Sequence, residues 1–213
     1  MGVADRPMCY DVRMSEPARN VPEVMEVAEF LAWDAPGGRT WQLVDGHPEA
    51  MAPASRTLAV IQMELGRRIG NHLDERDAPC AVVGPTGVIP RIRADVNYRV
   101  PDLAVTCTEV QEEEHALSEP VLLVEILSPT NRSETWTNIW SYTTIPTVKE
   151  ILIIDSVRVR AHLLRRDAQG NWPERPALIE EGDLELASID FRVQLAALYR
   201  RTRLARDARR GAG

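Results

Sequence analysis

Lysine is nearly absent from this chain of 213 residues, although arginine is abundant. Lys149 is the only lysine, and it stands just before an apolar run that predicts a strand. We expect its side chain at the surface, because lysine is rarely buried. The chain therefore offers one candidate for chemistry that requires a lysine, and that candidate is poorly placed for a buried site.

Cysteines and long apolar runs are also scarce. Cys9, Cys80 and Cys107 are scattered without the spacing of a metal site. A sparse, odd set argues against a secreted disulfide framework, so we expect reduced cysteines and a cytoplasmic protein. No stretch approaches the roughly 18 consecutive apolar residues of a membrane span. The polar N-terminus lacks the apolar core of a signal peptide. We therefore expect no membrane partner.

Positive charge is in deficit, since 25 basic residues face 32 acidic ones and the net charge is −7. That balance excludes a protein that grips nucleic acid over its whole surface, but it leaves room for a local basic groove. Residues 200–213 carry six arginines, which either contact phosphate or only solubilise an exposed tail. We divide the chain into a disordered segment 1–20, one globular domain 21–199 and the arginine-rich tail 200–213.

The apolar patterning predicts alternating helices and strands. The clearest helix covers residues 55–76, where apolar residues recur every three or four positions and form one stripe: Leu58, Ile61, Leu65, Ile69 and Leu73. Two more helices are predicted over 22–31 and 133–144, the latter packing through Trp136, Ile139 and Trp140. Strands are predicted over 41–44, 47–51, 103–105, 121–127, 150–155 and 157–164. The fold class we predict is an α/β sandwich with a central mixed β-sheet flanked by helices.

Two acids are the strongest candidates for a functional site. Glu125 interrupts the apolar run 121–127, and a carboxylate there costs several kcal/mol unless it is paired or binds a cation. Asp102 stands just ahead of the strand 103–105. Two adjacent strands could bring these acids together, and two carboxylates with waters make a Mg²⁺ site. The alternative is structural: Asp102 caps a turn, and Glu125 pairs with a buried arginine such as Arg99.

Three motifs resemble the Uma-two family of bacterial restriction endonucleases, which belongs to the PD-(D/E)XK nuclease superfamily. They are Arg99-Val100-Pro101-Asp102-Leu103, then Val124-Glu125-Ile126-Leu127-Ser128-Pro129-Thr130, then Ile145-Pro146-Thr147-Val148-Lys149-Glu150-Ile151-Leu152. The resemblance covers about residues 24–160. It implies a restriction-endonuclease-like fold and a Mg²⁺ or Mn²⁺ ion bound by Asp102, Glu125 and the backbone carbonyl of Ile126.

The chain departs from that family in a consistent direction. Asn138 stands where the resemblance implies the lysine that helps to activate the attacking water. Gln42 replaces an acid of the first strand, and Leu58 replaces a histidine. An amide can still orient water or phosphate, but it carries no charge. We therefore expect Asn138→Lys to raise a weak activity.

These features predict a Mg²⁺-dependent DNA endonuclease, with catalysis weakened, whose site residues are Asp102, Glu125, Asn138 and Gln42. The alternative is a catalytically inactive nuclease-fold protein that acts as a DNA-binding or interaction module. A metal-dependent hydrolase of smaller phosphate substrates is a third reading. DNA is the expected partner, and a homodimer remains open.

Overall fold

In the computed structural model, residues 24–109, 111, 114–129 and 132–205 are described. The segment predicted to be disordered, residues 1–20, lies outside this part of the chain. So do the last three arginines of the predicted tail, Arg206, Arg209 and Arg210.

Ten strands and four α-helices make up the described structure. The strands are β1 Trp41–Val44, β2 His47–Ala50, β3 Ala81–Val83, β4 Leu103–Thr106, β5 Pro120–Leu127, β6 Glu150–Asp155, β7 Ala161–Arg165, β8 Ala177–Ile179, β9 Asp183–Leu186 and β10 Phe191–Gln194. The helices are α1 Val27–Ala32, α2 Arg56–Glu75, α3 Arg132–Tyr142 and α4 Leu195–Leu198.

The central sheet has six strands in the order β3-β4-β5-β6-β7-β8. Strands β5 and β6 run parallel, and their crossover contains α3, as a parallel connection requires. The other neighbours are antiparallel. The predicted mixed sheet flanked by helices is therefore confirmed. Two separate hairpins, β1-β2 and β9-β10, complete the strands described.

Helix α2 covers one face of the sheet. It begins where Ser55 accepts a hydrogen bond from the backbone nitrogen of Leu58 at 3.2 Å, a regular N-cap. All five residues of its predicted stripe are buried in one cluster with side chains of β4, β5 and β6. The stripe prediction is confirmed.

Side chains alternate along a strand, so the two faces of β5 pack against different parts of the molecule. Leu122, Val124 and Ile126 belong to the cluster on the α2 side. Leu123 and Leu127 belong to the cluster on the opposite side, together with Ile139 and Tyr142 of α3. Glu125 shares that second face, and its side chain therefore points toward α3.

The first hairpin is attached to the segment just before β4. Leu43 and Tyr98 exchange two backbone hydrogen bonds, of 2.7 and 3.0 Å. Val88 and Arg99 do the same on the next position, at 2.8 and 2.9 Å. Gly87 makes this arrangement possible, since a Cβ there would lie 1.9 Å from the Tyr98 ring. Arg99 is thus held between β1 and the strand-like segment at Val88.

Three predicted details are wrong. Helix α1 begins at Val27 rather than at residue 22, because Glu26 and Glu29 form a capping box at that point.

Strand β7 begins at Ala161 rather than at residue 157. The chain turns tightly before it, where the backbone nitrogen of Asp155 donates to the carbonyl of Arg160 at 3.0 Å. In α3, Ile139 is fully buried as predicted, but Trp140 is 51% exposed and lies off the packed face.

The cysteines also differ from expectation. Cys80 and Cys107 form a disulfide in the structure, where reduced cysteines were expected from their sparse, odd number. The cause lies in the topology: Ala81 pairs with Thr106 across β3 and β4, so the next position on each strand brings the two cysteines face to face. The 27 positions between them in sequence hide that proximity.

Within the described residues, no helix combines the length and the hydropathy that crossing a bilayer demands. The 20-residue helix α2 is amphipathic, with one buried stripe and exposed charges.

Candidate metal centre

Asp102 and Glu125 are brought to neighbouring positions on adjacent strands. Leu103 of β4 pairs with Val124 of β5 in antiparallel register. Continued by one residue, that register places Asp102 opposite Glu125 on the face that α3 covers. Residues directly opposite in an antiparallel pair have Cβ atoms about 5 Å apart.

A backbone hydrogen bond ties Asp102 to this position. The amide nitrogen of Ile126 donates to Oδ2 of Asp102 at 2.6 Å. On the other side, Nε2 of Gln62 donates to the backbone carbonyl of Asp102 at 2.7 Å. Burial raises the pKa of Asp102 to about 6, and the bond from Ile126 opposes part of that rise. The carboxyl group of Asp102 is therefore hydrogen-bonded to β5, and its ionisation is costly without a cation nearby.

Glu125 is 4% exposed, which is unusual for a glutamate. Its Oε1 accepts a hydrogen bond of 2.7 Å from the hydroxyl of Tyr142. Burial, followed by the negative charge of Glu125, raises the pKa of Tyr142 well above its usual value. The hydroxyl of Tyr142 therefore remains protonated and donates to Glu125 at neutral pH.

The backbone carbonyl of Ile126 lies on the same edge as Asp102. In a β-strand the N–H and C=O of one residue point to the same side. Since the N–H of Ile126 points to Asp102, its carbonyl is also directed toward the β4 side of β5. The three groups that the sequence suggests as metal ligands are thus adjacent on two strands.

These three oxygens suit a hard cation such as Mg²⁺ or Mn²⁺ better than a softer metal that prefers nitrogen and sulfur ligands. Over the described residues there is no cluster of three or more His, Cys, Asp or Glu side chains able to hold a metal. A closed site of nitrogen and sulfur ligands is therefore not present in that part of the chain. Mg²⁺ commonly takes one or two carboxylates and keeps several waters, so two carboxylates with a carbonyl satisfy its protein share.

The two amides predicted for the site meet one another in the core. Nδ2 of Asn138 donates to Oε1 of Gln42 at 3.2 Å, and both side chains are buried. Asn138 belongs to α3, the helix that also carries Tyr142, one turn further on. The structure therefore brings Gln42 and Asn138 to the helix that contacts Glu125.

Arg99 is a further buried residue beside these amides. Its Nη1 donates to Oδ1 of Asn138 at 3.2 Å, and its Nη2 donates to Oδ1 of Asn97 at 2.9 Å. The sequence suggested it only as a partner for Glu125 in the structural alternative. The available signal was an arginine three residues before Asp102, in a segment flanked by apolar residues.

Two other residues lie outside the site. Lys149 is exposed, and its backbone bonds Val121 at the start of β5. Glu125 pairs with Ile153 of β6, which lies four residues beyond Lys149 along the chain. At the rise of a β-strand, four residues span about 13 Å. Leu58, where the resemblance implies a histidine, is buried in the α2 core. Neither residue can supply charge to the acids.

A cavity of about 290 Å³ borders Asp102. Asp102 and Gln62 line it together with Arg39 and residues after β2, including Met51 and Pro53. The exposed Arg39 gives this cavity a positive side chain close to Asp102. A phosphate group entering here would meet Asp102 and the side chain of Arg39.

Comparisons with known proteins agree with this fold. The model of the Uma2 family, described as "Putative restriction endonuclease", matches residues 27–197. Among solved structures, the chain is similar to a putative nuclease belonging to DUF820 from Anabaena variabilis, with a TM-score of 0.68 and 15% identity. The match covers 82% of this chain and 97% of that one, so it supports the fold. No curated protein matches the chain.

Proposed function

Because the chain belongs to the Uma2 family of restriction-endonuclease-like proteins, we propose that it is a nuclease that cleaves DNA with a divalent metal ion. The observation that carries this proposal is the 2.6 Å bond from Ile126 to Asp102, which places one acid beside Glu125 and beside a backbone carbonyl. Burying two acids at neighbouring positions of one sheet is costly unless a cation or another partner offsets their charge.

Asp102, Glu125 and the carbonyl of Ile126 would hold Mg²⁺ or Mn²⁺. Such an ion lowers the pKa of water and offsets negative charge on a phosphate. Asp102 is suited to this task because burial already disfavours its charged form, and a cation would restore it. Tyr142 holds Glu125 in place by donating a hydrogen bond to its Oε1.

The remaining side chains orient the substrate. Asn138 and Gln42 present a fixed pair of amides at α3 and β1, where they hold the buried wall of the site. Arg39 borders the cavity beside Asp102 and can meet a phosphate there. With a net charge of −7, contact with DNA must be local rather than spread over the surface.

A second candidate function is a nuclease fold that binds DNA without cleaving it. Asparagine at position 138 and the exposed position of the only lysine favour this alternative. It predicts DNA binding that does not depend on Asp102.

The test is cleavage of supercoiled plasmid DNA with Mg²⁺ or Mn²⁺, comparing the wild type with Asp102→Ala and Glu125→Gln. Glu180→Gln is a matched control, because Glu180 is an exposed acid that pairs with Arg160 on another part of the sheet. We expect cleavage by the wild type and by Glu180→Gln, and none by the two site variants.

Three results would overturn the proposal. Cleavage that survives Asp102→Ala would place the activity elsewhere or in a contaminant. DNA binding without cleavage, unchanged by Asp102→Ala, would favour the non-catalytic alternative. Turnover of a small phosphate ester, but not of plasmid, would point to the smaller substrate class.

A further inference from the structure

A second cavity lies beyond the ends of the two parallel strands, β5 and β6, next to the start of α2. Its volume is about 270 Å³, which is many times the share of one water molecule. Crevices outside the carboxyl ends of parallel strands commonly bind ligands. No acid is among the described residues that line this cavity, and three of them besides the N-cap Ser55 carry a hydroxyl: Thr57, Ser128 and Ser156.

The start of α2 leaves two amide groups without acceptors. Ser55 satisfies the backbone nitrogen of Leu58. Within the described residues, the amides of the first two helical residues, Arg56 and Thr57, donate to no carbonyl or side chain. The first turn of α2 contains no acid, whereas the first turn of α1 contains Glu29. The positive end of a 20-residue helix is therefore left without a negative partner.

Ser156 is a second, independent sign of a ligand in this cavity. It is 5% exposed and belongs to the lining. Its backbone nitrogen donates to the carbonyl of Leu127 at 2.9 Å, but its hydroxyl bonds to none of the residues that the structure describes. Leaving a buried hydroxyl without a partner is costly. We therefore expect the cavity to hold a polar group that bonds to Ser156.

The acid beside Ser156 does not reverse the charge of the cavity. Oδ1 of Asp155 accepts from the backbone nitrogen of Val157 at 2.8 Å, and Oδ2 lies 3.9 Å from Arg132. Side chains alternate along β6, so Asp155 falls on the α3 side of the sheet and Ser156 on the α2 side. The exposed Arg56 adds a positive side chain at the start of α2. An anion is therefore the ligand that this end of the molecule favours.

We propose that this cavity binds a phosphate of the DNA backbone that neighbours the cleaved one, so the substrate is a polynucleotide rather than a small phosphate ester. The inference rests on the proposed nuclease function. Ala52 and Pro53 line both this cavity and the cavity at Asp102, so the two share a wall. Ser128 stands two residues beyond Ile126, or about 7 Å at the rise of a strand. Since phosphates recur about every 3.4 Å along the axis of one DNA strand, one strand can reach both cavities.

The chemistry of the lining suits a phosphate that carries no sequence information. Phosphate oxygens accept hydrogen bonds from the free amides of a helix start and from hydroxyl groups. The amides of Arg56 and Thr57, with the hydroxyls of Thr57 and Ser156, supply such donors. Contacts of this kind fix the position of DNA without reading its bases. The cavity would therefore position the strand over the metal centre.

The first experiment titrates inorganic phosphate alone into the full-length, ¹⁵N-labelled chain and follows the backbone amides by NMR. We expect saturable downfield shifts at Arg56 and Thr57. Ser156→Ala should weaken binding about tenfold, which is the effect of losing one hydrogen bond to a charged group. Ser188→Ala is the matched control, because the hydroxyl of Ser188 also lacks a partner among the described residues but lies beside Glu150, at the other end of β6.

A second variant separates binding from folding. Thr57→Asp places a negative charge in the first turn of α2, where it stabilises a helix but repels phosphate. We expect this variant to lose the phosphate shifts without a lower melting temperature. A structural role for this end of α2 would not combine those two results. Shifts spread over the surface, and equal in the wild type, Ser156→Ala and Thr57→Asp, would show an adventitious ion only and would overturn the inference.

The second experiment measures the Kd of a fluorescent DNA duplex in EDTA at several salt concentrations. Thr57→Asp should raise the Kd at least about tenfold and reduce the slope of log K against log salt by about 1, the value of one phosphate contact. Ser118→Asp is the control, since it adds the same charge at an exposed serine just before β5. It should keep the wild-type Kd and slope.

Cleavage assays then test the substrate class. With Mn²⁺, Thr57→Asp should raise the KM for plasmid DNA. It should leave the hydrolysis of bis(p-nitrophenyl) phosphate unchanged, because that ester has no neighbouring phosphate. An equal loss on both substrates would show that Thr57 acts on the metal centre or on the fold, and would overturn the inference.

The two proposals fail separately. If Asp102→Ala abolishes cleavage while Thr57→Asp and Ser156→Ala bind phosphate and DNA as the wild type does, the inference is wrong and the nuclease proposal stands. A protein that shows the phosphate shifts at Arg56 and Thr57, but neither binds nor cleaves DNA, would overturn the nuclease proposal and the assignment of this cavity to DNA.

Discussion

The amide nitrogen of Ile126 lies 2.6 Å from Oδ2 of Asp102 and donates a hydrogen bond to it. The contact joins β5 to Asp102, the residue just before β4. At this end of the strand pair, a side-chain carboxylate accepts the hydrogen bond in place of a backbone carbonyl. Glu125 precedes Ile126, so the same contact sets the distance between the two acids.

The pH dependence of the metal-free protein tests the burial of Asp102. Its pKa is raised from 3.8 to about 6, so the folded state binds more protons than the unfolded state between those values. Stability must then fall as pH rises through that window, by about 3 kcal/mol, and level off above it. Urea unfolding in EDTA at pH 4 and pH 7 should show this loss, after subtraction of the same difference measured for Asp102→Asn. Parallel profiles for the two proteins would show that the pKa of Asp102 is not raised in the folded state.

Divalent metal should stabilise the fold through Glu125. A ligand that binds only the native state adds about 2.7 kcal/mol at a hundredfold excess over its Kd. We expect Mn²⁺ to raise the melting temperature of the wild type and of Glu180→Gln, but not of Glu125→Gln. An equal rise in all three proteins would mean that the metal binds elsewhere.

Gly87 is required for the placement of Arg99. A methyl group at this position would lie 1.9 Å from Cζ of Tyr98, and the ring would have to move. Overpacking of this kind commonly costs about 1–3 kcal/mol. Gly87→Ala should therefore lower the free energy of unfolding by that amount and weaken cleavage. Gly84→Ala is the control, since nothing lies within 4 Å of a Cβ there. Equal stability of the two variants would contradict the close packing of Tyr98.

The bridge between Cys80 and Cys107 can be tested by counting thiols. Unfolded, unreduced protein should show one reactive thiol, Cys9, and reduced protein should show three. Closing a loop of this length stabilises a protein by about 3.5 kcal/mol in the chain-entropy view. Reductant should lower the melting temperature of the wild type, while the double variant Cys80→Ser/Cys107→Ser should not respond. Three thiols without reductant would rule out the bridge.

Much of the fold could be predicted because its cues are local. The apolar stripe from Leu58 to Leu73 predicted one helix, and the apolar run 121–127 predicted the central strand. The short strands β3 and β8 escaped prediction because each has only three residues, and their pairing depends on distant partners. The bridge between Cys80 and Cys107 escaped for the same reason.

The site was predicted unevenly. Asp102 and Glu125 could be found because an acid in or beside an apolar strand needs an explanation. Arg99 could not be placed, since a buried arginine within an apolar segment reads equally well as a partner for Glu125. Only the fold shows that Arg99 reaches Asn138, 39 residues away, and that Asn138 reaches Gln42.

The most direct test of the account is anomalous diffraction from a crystal soaked in Mn²⁺. The account predicts a peak between the carboxylates of Asp102 and Glu125, within about 2.0–2.4 Å of both and of the Ile126 carbonyl. The same peak should be missing from crystals of Glu125→Gln. A fully soaked crystal with no peak at these residues, or with carboxylates more than about 10 Å apart, would contradict it.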